Sequence, residues 1–250
     1  MTNVDNDKTV YTEDNIYTAA YIIDTRPPTR PSCILSQVFY GMYIDQQPYF
    51  SADKITLMHN MRTDSFGFRF NYVLPVHDNK MLFEHTRFST KAYSKAQMQS
   101  ECYSELKRLG ITYDNVYKDE YGILPMGYLG ASTSTNGGLR AGLLRQATGY
   151  GFLRIQAWAE GTACMLTQQP VKKNKQNLVN WMDRLFLHTL RSNMTQCPEY
   201  FITLAKYCPA DTLVRFLSDK ASTYDCLRVM LSLPPRSFMY TLATKSTQSC

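Results

Sequence analysis

Two different periods of hydrophobic and polar positions run along this chain, and the change between them divides it. Up to residue 88 the apolar positions form short runs or alternate with polar ones, the two-residue repeat of a strand. Strands are expected at residues 9–11 and 19–23, with Glu13, Asp14 and Asn15 in the turn between them. Asp24-Thr25-Arg26-Pro27-Pro28 ends this part, because proline brings no ladder donor. Residues 33–43 are apolar enough for a buried strand, and 55–61 are a further candidate. Residues 67–74 alternate, with Phe68, Phe70 and Tyr72 on one face and Arg69, Asn71 and Val73 on the other. A turn at 75–79 leads to a returning strand at 80–88.

Beyond this point the pattern becomes helical. Ser94 and Gln97 make a capping-box pair, Met98, Cys102, Leu106 and Leu109 form an apolar stripe, and Gly110 stops the helix. A glycine-punctuated segment through Gly137, Gly138 and Gly142 runs into Thr148-Gly149-Tyr150. Helices are then expected at about 150–168, 174–191, 198–207, 210–219 and 223–233, the last capped by Ser222 and Asp225 and broken by Pro234-Pro235. Strands first and helices last indicate an α+β or mixed α/β chain.

Two places carry candidate chemistry. Leu82, Glu84, Thr86 and Phe88 share one face of a strand, which makes Glu84 the ionisable group of a largely apolar surface. If that face is buried, desolvation raises its pKa and leaves a neutral carboxylic acid, suited to general-acid work. On the bland alternative Glu84 pairs with Arg69 or Arg87, or points to solvent. The glycine segment lets backbone N–H groups approach an anionic ligand, or serves as an ordinary turn-rich loop. It fits neither a Walker loop nor the GxGxxG fingerprint.

Composition narrows the classes. With 250 residues, 44% hydrophobic and 19% charged, the chain can bury a core and is not disordered. Its 18 Tyr and 12 Phe suit a large apolar pocket or an ordinary aromatic core. The net charge of +6 is spread out, with a local concentration at Lys172, Lys173, Lys175, Arg184 and Arg191 that suits phosphates or a solvated helix face. Seven cysteines without a CxxC point to reduced thiols in the cytoplasm, and four histidines show no metal-ligand spacing. The polar N-terminal stretch is no signal peptide, and no run reaches the roughly 18 apolar residues of a membrane helix.

Several short segments, taken in order, resemble a known family. They are Ile22-Ile23-Asp24-Thr25-Arg26-Pro27, Gln37-Val38-Phe39-Tyr40-Gly41, Leu57-Met58, Phe70-Asn71-Tyr72-Val73-Leu74-Pro75 and Leu82-Phe83-Glu84-His85-Thr86. Leu124-Pro125-Met126-Gly127, Thr148-Gly149-Tyr150 and Leu213-Val214-Arg215-Phe216-Leu217 follow. Together they resemble the lycopene cyclases of the bacterial beta-cyclase type, over about residues 10–243.

The resemblance implies part of a glutathione-reductase-like, FAD-dependent flavoprotein fold with an antiparallel substrate-side sheet and a helical C-terminal part. It is expected to be a single domain, divided into a remnant of the FAD domain (1–30), a substrate-side sheet and helix (31–123), a flavin-side loop and helix (124–170) and a helical tail (171–250). It implies Glu84 as catalytic acid, with Asp24, Gly127, Gly142, Thr148, Gly149 and Tyr150 toward the cofactor. Phe68, Phe70, Tyr72 and Phe88 are implied for the substrate pocket, and no metal is. The cofactor implied is reduced FAD with NAD(P)H as reductant. The substrate implied is lycopene or a related linear carotenoid, cyclised to β-ionone ends in a reaction without net redox change. Peripheral contact with the inner membrane face, other carotenoid-pathway enzymes as partners and no nucleic acid complete the expectation. A flavin-dependent monooxygenase, an inactive truncated fragment and a lipid-associated binding protein stand as alternatives.

Two departures stand out. The family opens with a GxGxxG turn for the ADP half of FAD, and this chain has none, as if it began inside that domain. His59-Asn60 follows Leu57-Met58 where the family has Asp and an aromatic residue.

Overall fold

The computed structural model describes residues 3–5, 8–29, 31–45, 47–77, 79–130, 136–167 and 177–246. It divides into two compact units. One comprises residues 1–32 and 128–176, the other residues 33–127 and 177–250.

The larger unit is built on a five-stranded, wholly antiparallel sheet. In chain order after three short strands (β1, Asn3–Asp5; β2, Thr9–Tyr11; β3, Ile16–Thr18), these strands are β4 (Leu35–Asp45), β5 (Thr56–Asp64), β6 (Gly67–Val76), β7 (Lys80–Ser89) and β8 (Val116–Met126). Their spatial order is β5-β6-β7-β4-β8. Gly67 closes the β5–β6 hairpin at φ +141°, and a Cβ there would lie 2.2 Å from the Phe88 carbonyl oxygen. Edge strand β5 is irregular. Met58 and Asn60 take φ of 53° and 56°, and its register with β6 shifts on both sides of His59.

Helix α1 (Lys95–Arg108) starts at the capping box expected of Ser94 and Gln97. It buries Met98, Cys102 and Leu106 against Val38, Tyr40, Met42 and Ile44 of β4 and Met81 and Phe83 of β7. Those sheet residues all point to one face, as the two-residue repeat requires. The C-terminal helices of this unit are α3 (Asn177–Ser192), α4 (Cys197–Tyr207), α5 (Ala210–Leu217), α6 (Thr223–Leu231) and α7 (Pro235–Ser246). Val179, Met182, Cys208, Phe216, Cys226 and Val229 form their shared core. Ser222 and Asp225 cap α6 reciprocally, as expected. In the smaller unit the β1-β2-β3 sheet accompanies the glycine segment and helix α2 (Phe152–Leu166).

The mixed α+β class, antiparallel sheet and helical C-terminal part agree with the sequence. Three details differ. The expected strand at 19–23 gives way to β3 at Ile16–Thr18. Strand β8 was not expected; it lies at the sheet edge, where Pro125 is tolerated. Helix α7 starts at Pro235, which read as a breaker, although a first helical turn has no use for the missing N–H.

Substituting Gly67 by alanine places a methyl against the β7 backbone and strains a left-handed φ. A loss of about 1–3 kcal/mol is expected in urea unfolding. An unchanged midpoint would show that the hairpin relaxes freely.

Candidate active site

On β7 the pleat sends Glu84 to the face away from α1, together with Leu82, Thr86 and Phe88. Register supplies its neighbours: Tyr72 on β6 and Gly41 on β4 lie directly opposite Glu84, and Phe70 and Phe39 lie opposite Thr86. Glu84 is half-buried, and Thr86 Oγ1 donates to its Oε1 at 2.9 Å. Burial outweighs that bond and, with the charge of Glu120, pushes the carboxyl up to about 7. The arginine pairing considered for Glu84 does not form, because Arg69 and Arg87 point to the opposite face and engage Asp64 and Glu101.

The aromatic side chains near Glu84 form a continuous wall. Phe70 meets Tyr72 edge-on at 5.1 Å and Phe88 at 5.3 Å. Phe68 stacks on Phe201 of α4 at 5.4 Å, and Phe201 meets Phe186 of α3 at 5.6 Å. Phe68, Phe70 and Phe88 are thus buried and packed, and Tyr72 keeps part of its surface open. Phe201 and Phe186 were not singled out in the sequence, because they arrive from helices more than a hundred residues away.

Behind the sheet, polar groups are handled in the opposite way. Arg87 Nη1 lies 2.8 Å from Asp64 and its Nη2 lies 2.7 Å from Glu101. His85 Nδ1 and Asn71 Oδ1 are 2.8 Å apart. Glu105 accepts from Asn60, Arg62, Asn71 and Arg108. Burial alone would raise the Glu105 carboxyl, but these partners outweigh it and hold it at about 2. Asn60, one of the departures from the resemblance, is therefore tied into this network.

The residues expected toward the cofactor fall in both units. Gly127 belongs to the larger unit, has φ +76°, and its carbonyl accepts from Arg184 Nη1 at 3.3 Å. Asp24, Gly142, Thr148, Gly149 and Tyr150 belong to the smaller one. Asp24 holds Arg26 at 2.7 Å and Arg140 at 3.5 Å, and its carbonyl accepts from Gly137 N–H at 2.9 Å. The hydrogen bonds from Arg26 keep its carboxyl near 2. Gly142 and Gly149 take φ of 70° and 72°, and Thr148 Oγ1 accepts from the Tyr150 N–H at 3.2 Å. Gly151 then opens α2 with no side-chain cap, and Gln146 Oε1 is buried without a hydrogen-bond partner. Left-handed glycines and an uncapped helix start offer backbone N–H donors that fit a phosphate, while the buried Gln146 oxygen would need an O–H or N–H donor from a ligand. Among the described residues no group of three His, Cys, Asp or Glu side chains is placed to hold a metal ion.

Glu84, with its carboxyl raised to about 7, sits on an aromatic sheet face within this α+β frame. A family model described as lycopene cyclase protein matches residues 1–243, and the chain belongs to that family. It is 25% identical over 244 residues to a lycopene beta-cyclase of Pseudescherichia vulneris, covering 87% of this chain. The chain spans about three-fifths (61%) of that relative's length. A geranylgeranyl bacteriochlorophyll reductase-like protein from Thermoplasma acidophilum shares the fold, with a TM-score of 0.51 at 10% identity over 96% of this chain and 67% of that one.

The raised Glu84 pKa has a sign. Between its ordinary 4.5 and about 7 the folded protein retains a proton that the unfolded chain has released, so stability falls as pH rises through this window. Glu84→Gln removes the penalty. Its stability relative to the unaltered chain should rise by on the order of 2–3 kcal/mol between pH 4.5 and 7.5 in urea unfolding. Parallel pH curves for the two proteins would contradict a buried, protonated Glu84.

Proposed function

We propose that this chain carries the acid chemistry of a lycopene beta-cyclase, closing the linear ψ ends of lycopene or a related carotenoid to β-ionone rings. The observation that carries this is the half-buried Glu84, held near neutrality on an apolar face. The Glu84 O–H delivers its proton to the terminal alkene carbon. The resulting cation is attacked by the next alkene, closing the ring, and a proton leaves the carbon beside the new cationic centre. One proton enters and one departs, so the product is an isomer of the substrate.

The aromatic wall supports this chemistry. Faces such as that of Tyr72 stabilise a nearby cation by about 0.5–2 kcal/mol each. Apolar packing around Phe68, Phe70 and Phe88 keeps out water, which would otherwise capture the cation. Asp24, Gly127, Gly142, Thr148, Gly149 and Tyr150 are assigned to FAD, with Asp24 acting through the loop it ties down. When bound and reduced at the expense of NAD(P)H, FAD supplies negative charge for the cation.

The carotenoid is insoluble in water, so we assign the protein to the cytoplasmic membrane face as a peripheral protein, where other carotenoid-pathway enzymes would meet it. No helix among the described residues is long and apolar enough to cross a bilayer. Phe152, Leu153, Met165 and Leu166 of α2, and Met239 and Tyr240 of α7, are exposed apolar side chains suited to an interface. Of the basic concentration, Arg191 is exposed, and Lys172, Lys173 and Lys175 lie outside the described residues.

The chain should convert lycopene to β-carotene with FAD and a reductant, and Glu84→Gln should lower product formation by about 10²–10⁴-fold. Turnover should fall about tenfold per unit above pH 7, as the acid ionises. A Glu84→Gln chain that still forms β-carotene at the unaltered rate would refute the assignment. Binding to vesicles of anionic lipid should weaken at 1 M salt, where the screening length is about 3 Å. Failure to bind them at low salt would remove the membrane assignment.

A further inference from the structure

Four adjacent strands put Tyr72, Glu84, Gly41 and Glu120 in one row across the sheet. Tyr72 lies opposite Glu84, Glu84 opposite Gly41, and Gly41 opposite Glu120. The position between the two carboxylates has no side chain. A Cβ on Gly41 would lie 2.9 Å from Leu82 Cδ1, 3.0 Å from Glu120 Cγ and 3.2 Å from Glu120 Oε1. The half-buried Glu120 side chain therefore leans over Gly41, into the gap that separates it from Glu84. Tyr43, two residues along β4 on the same face, donates to Glu120 Oε2 at 3.4 Å. Burial, the charge of Glu120 and that of Glu84 together push the Tyr43 hydroxyl up.

The remaining charged neighbours do not quench this pair. Lys118, also on β8, sits over the Tyr43 ring at 5.4 Å. On α1, behind the sheet, Glu101 and Glu105 are engaged with Arg87, Asn71 and Arg108, and Cys102 is buried among apolar groups. β6 contributes the Tyr72 hydroxyl and no charge on this side. Two carboxylates facing one gap disfavour a second charge, and the more deeply buried Glu84 is the one that burial and the Glu120 charge push up.

We propose that Glu120 is the base of the reaction: across the side-chain-free gap at Gly41 from Glu84, it takes the proton that the ring-closed cation releases and returns it to Glu84. This rests on the cyclase function proposed above. The Glu84 O–H breaks as a C–H forms at the chain end. A C–H beside the cation then breaks, its electrons become the ring double bond, and an O–H forms on Glu120. Transfer of that proton to Glu84 restores both groups.

The test is a carbon-detected NMR titration of the whole chain with labelled glutamate, the Glu84 signal being assigned by its loss in Glu84→Gln. Glu120→Gln should move the Glu84 midpoint down by about 0.5–1 pH unit. Glu120→Asp should keep most of the elevation. Product formation should fall at least about tenfold in Glu120→Gln with KM unchanged, and recover in part in Glu120→Asp. An unmoved Glu84 midpoint, or unchanged turnover in Glu120→Gln while Glu84→Gln is inactive, overturns the base assignment and leaves the cyclase proposal standing. Full turnover in Glu84→Gln sinks both. A chain that titrates as expected but forms no product from lycopene overturns the cyclase proposal and with it the base role, leaving only the electrostatic coupling of the two glutamates.

Discussion

The pleat of β7 decides where charge resides in the larger unit. Consecutive side chains of a strand point to opposite faces, so Glu84 goes one way and His85 and Arg87 go the other. On the α1 side Asp64, Glu101 and Glu105 meet guanidinium or amide donors, and Glu105 is held near 2 against its own burial. On the far side Glu84 meets one hydroxyl and a second carboxylate, and burial lifts it to about 7. The same residue type, separated by the thickness of one sheet, thus titrates near 2 on one side and near 7 on the other. This division is what allows an acid and a stabilising ion-pair network to share one strand.

Packing on each face follows from it. The α1 side tolerates buried ions because Arg87, 2.7–2.8 Å from two carboxylates, is fully paired. The acid side has no such donors and fills with rings, which continue from Phe68 into Phe201 and Phe186 of the helices. Two glycines on this face leave space where a side chain would block it. A Cβ on Gly122 would lie 2.4 Å from the Phe39 ring, just as one on Gly41 would strike Leu82 and Glu120. Their absent side chains set how closely β4 and β8 bring the neighbouring groups together.

The strand that carries Glu84 was legible because Leu82, Glu84, Thr86 and Phe88 share parity, and parity alone assigns the face. Both capping boxes were legible because Ser94–Gln97 and Ser222–Asp225 are local in sequence. Glu120 was not. It lies on β8, whose run is interrupted by Gly122 and Pro125 and which forms only because β4 offers it a free edge. No local pattern reports that Gly41 will lie between two glutamates, since that depends on registers set across strands far apart in sequence. The left-handed Asn60 was equally invisible, because its amide is held by Glu105, which is far away in sequence.

Asp24 shows how a residue matched by family resemblance can act at one remove. Its carboxylate is taken up by Arg26 and Arg140, and its carbonyl by the Gly137 N–H. Nothing of its charge is left over to attract a ligand directly. What these bonds do is fix the glycine segment to the preceding strand-like stretch, through the Asp24–Asn136 bridge and the Arg140 side chain. Downstream, the Arg145 N–H and the Tyr150 carbonyl close the next turn at 2.8 Å, which presents Gly149 and the uncapped start of α2. The donors available to a cofactor are then backbone N–H groups held by glycine conformations. In the proposed FAD assignment, Asp24 would act by fixing that backbone before a ligand arrives, which lowers the ordering cost of binding.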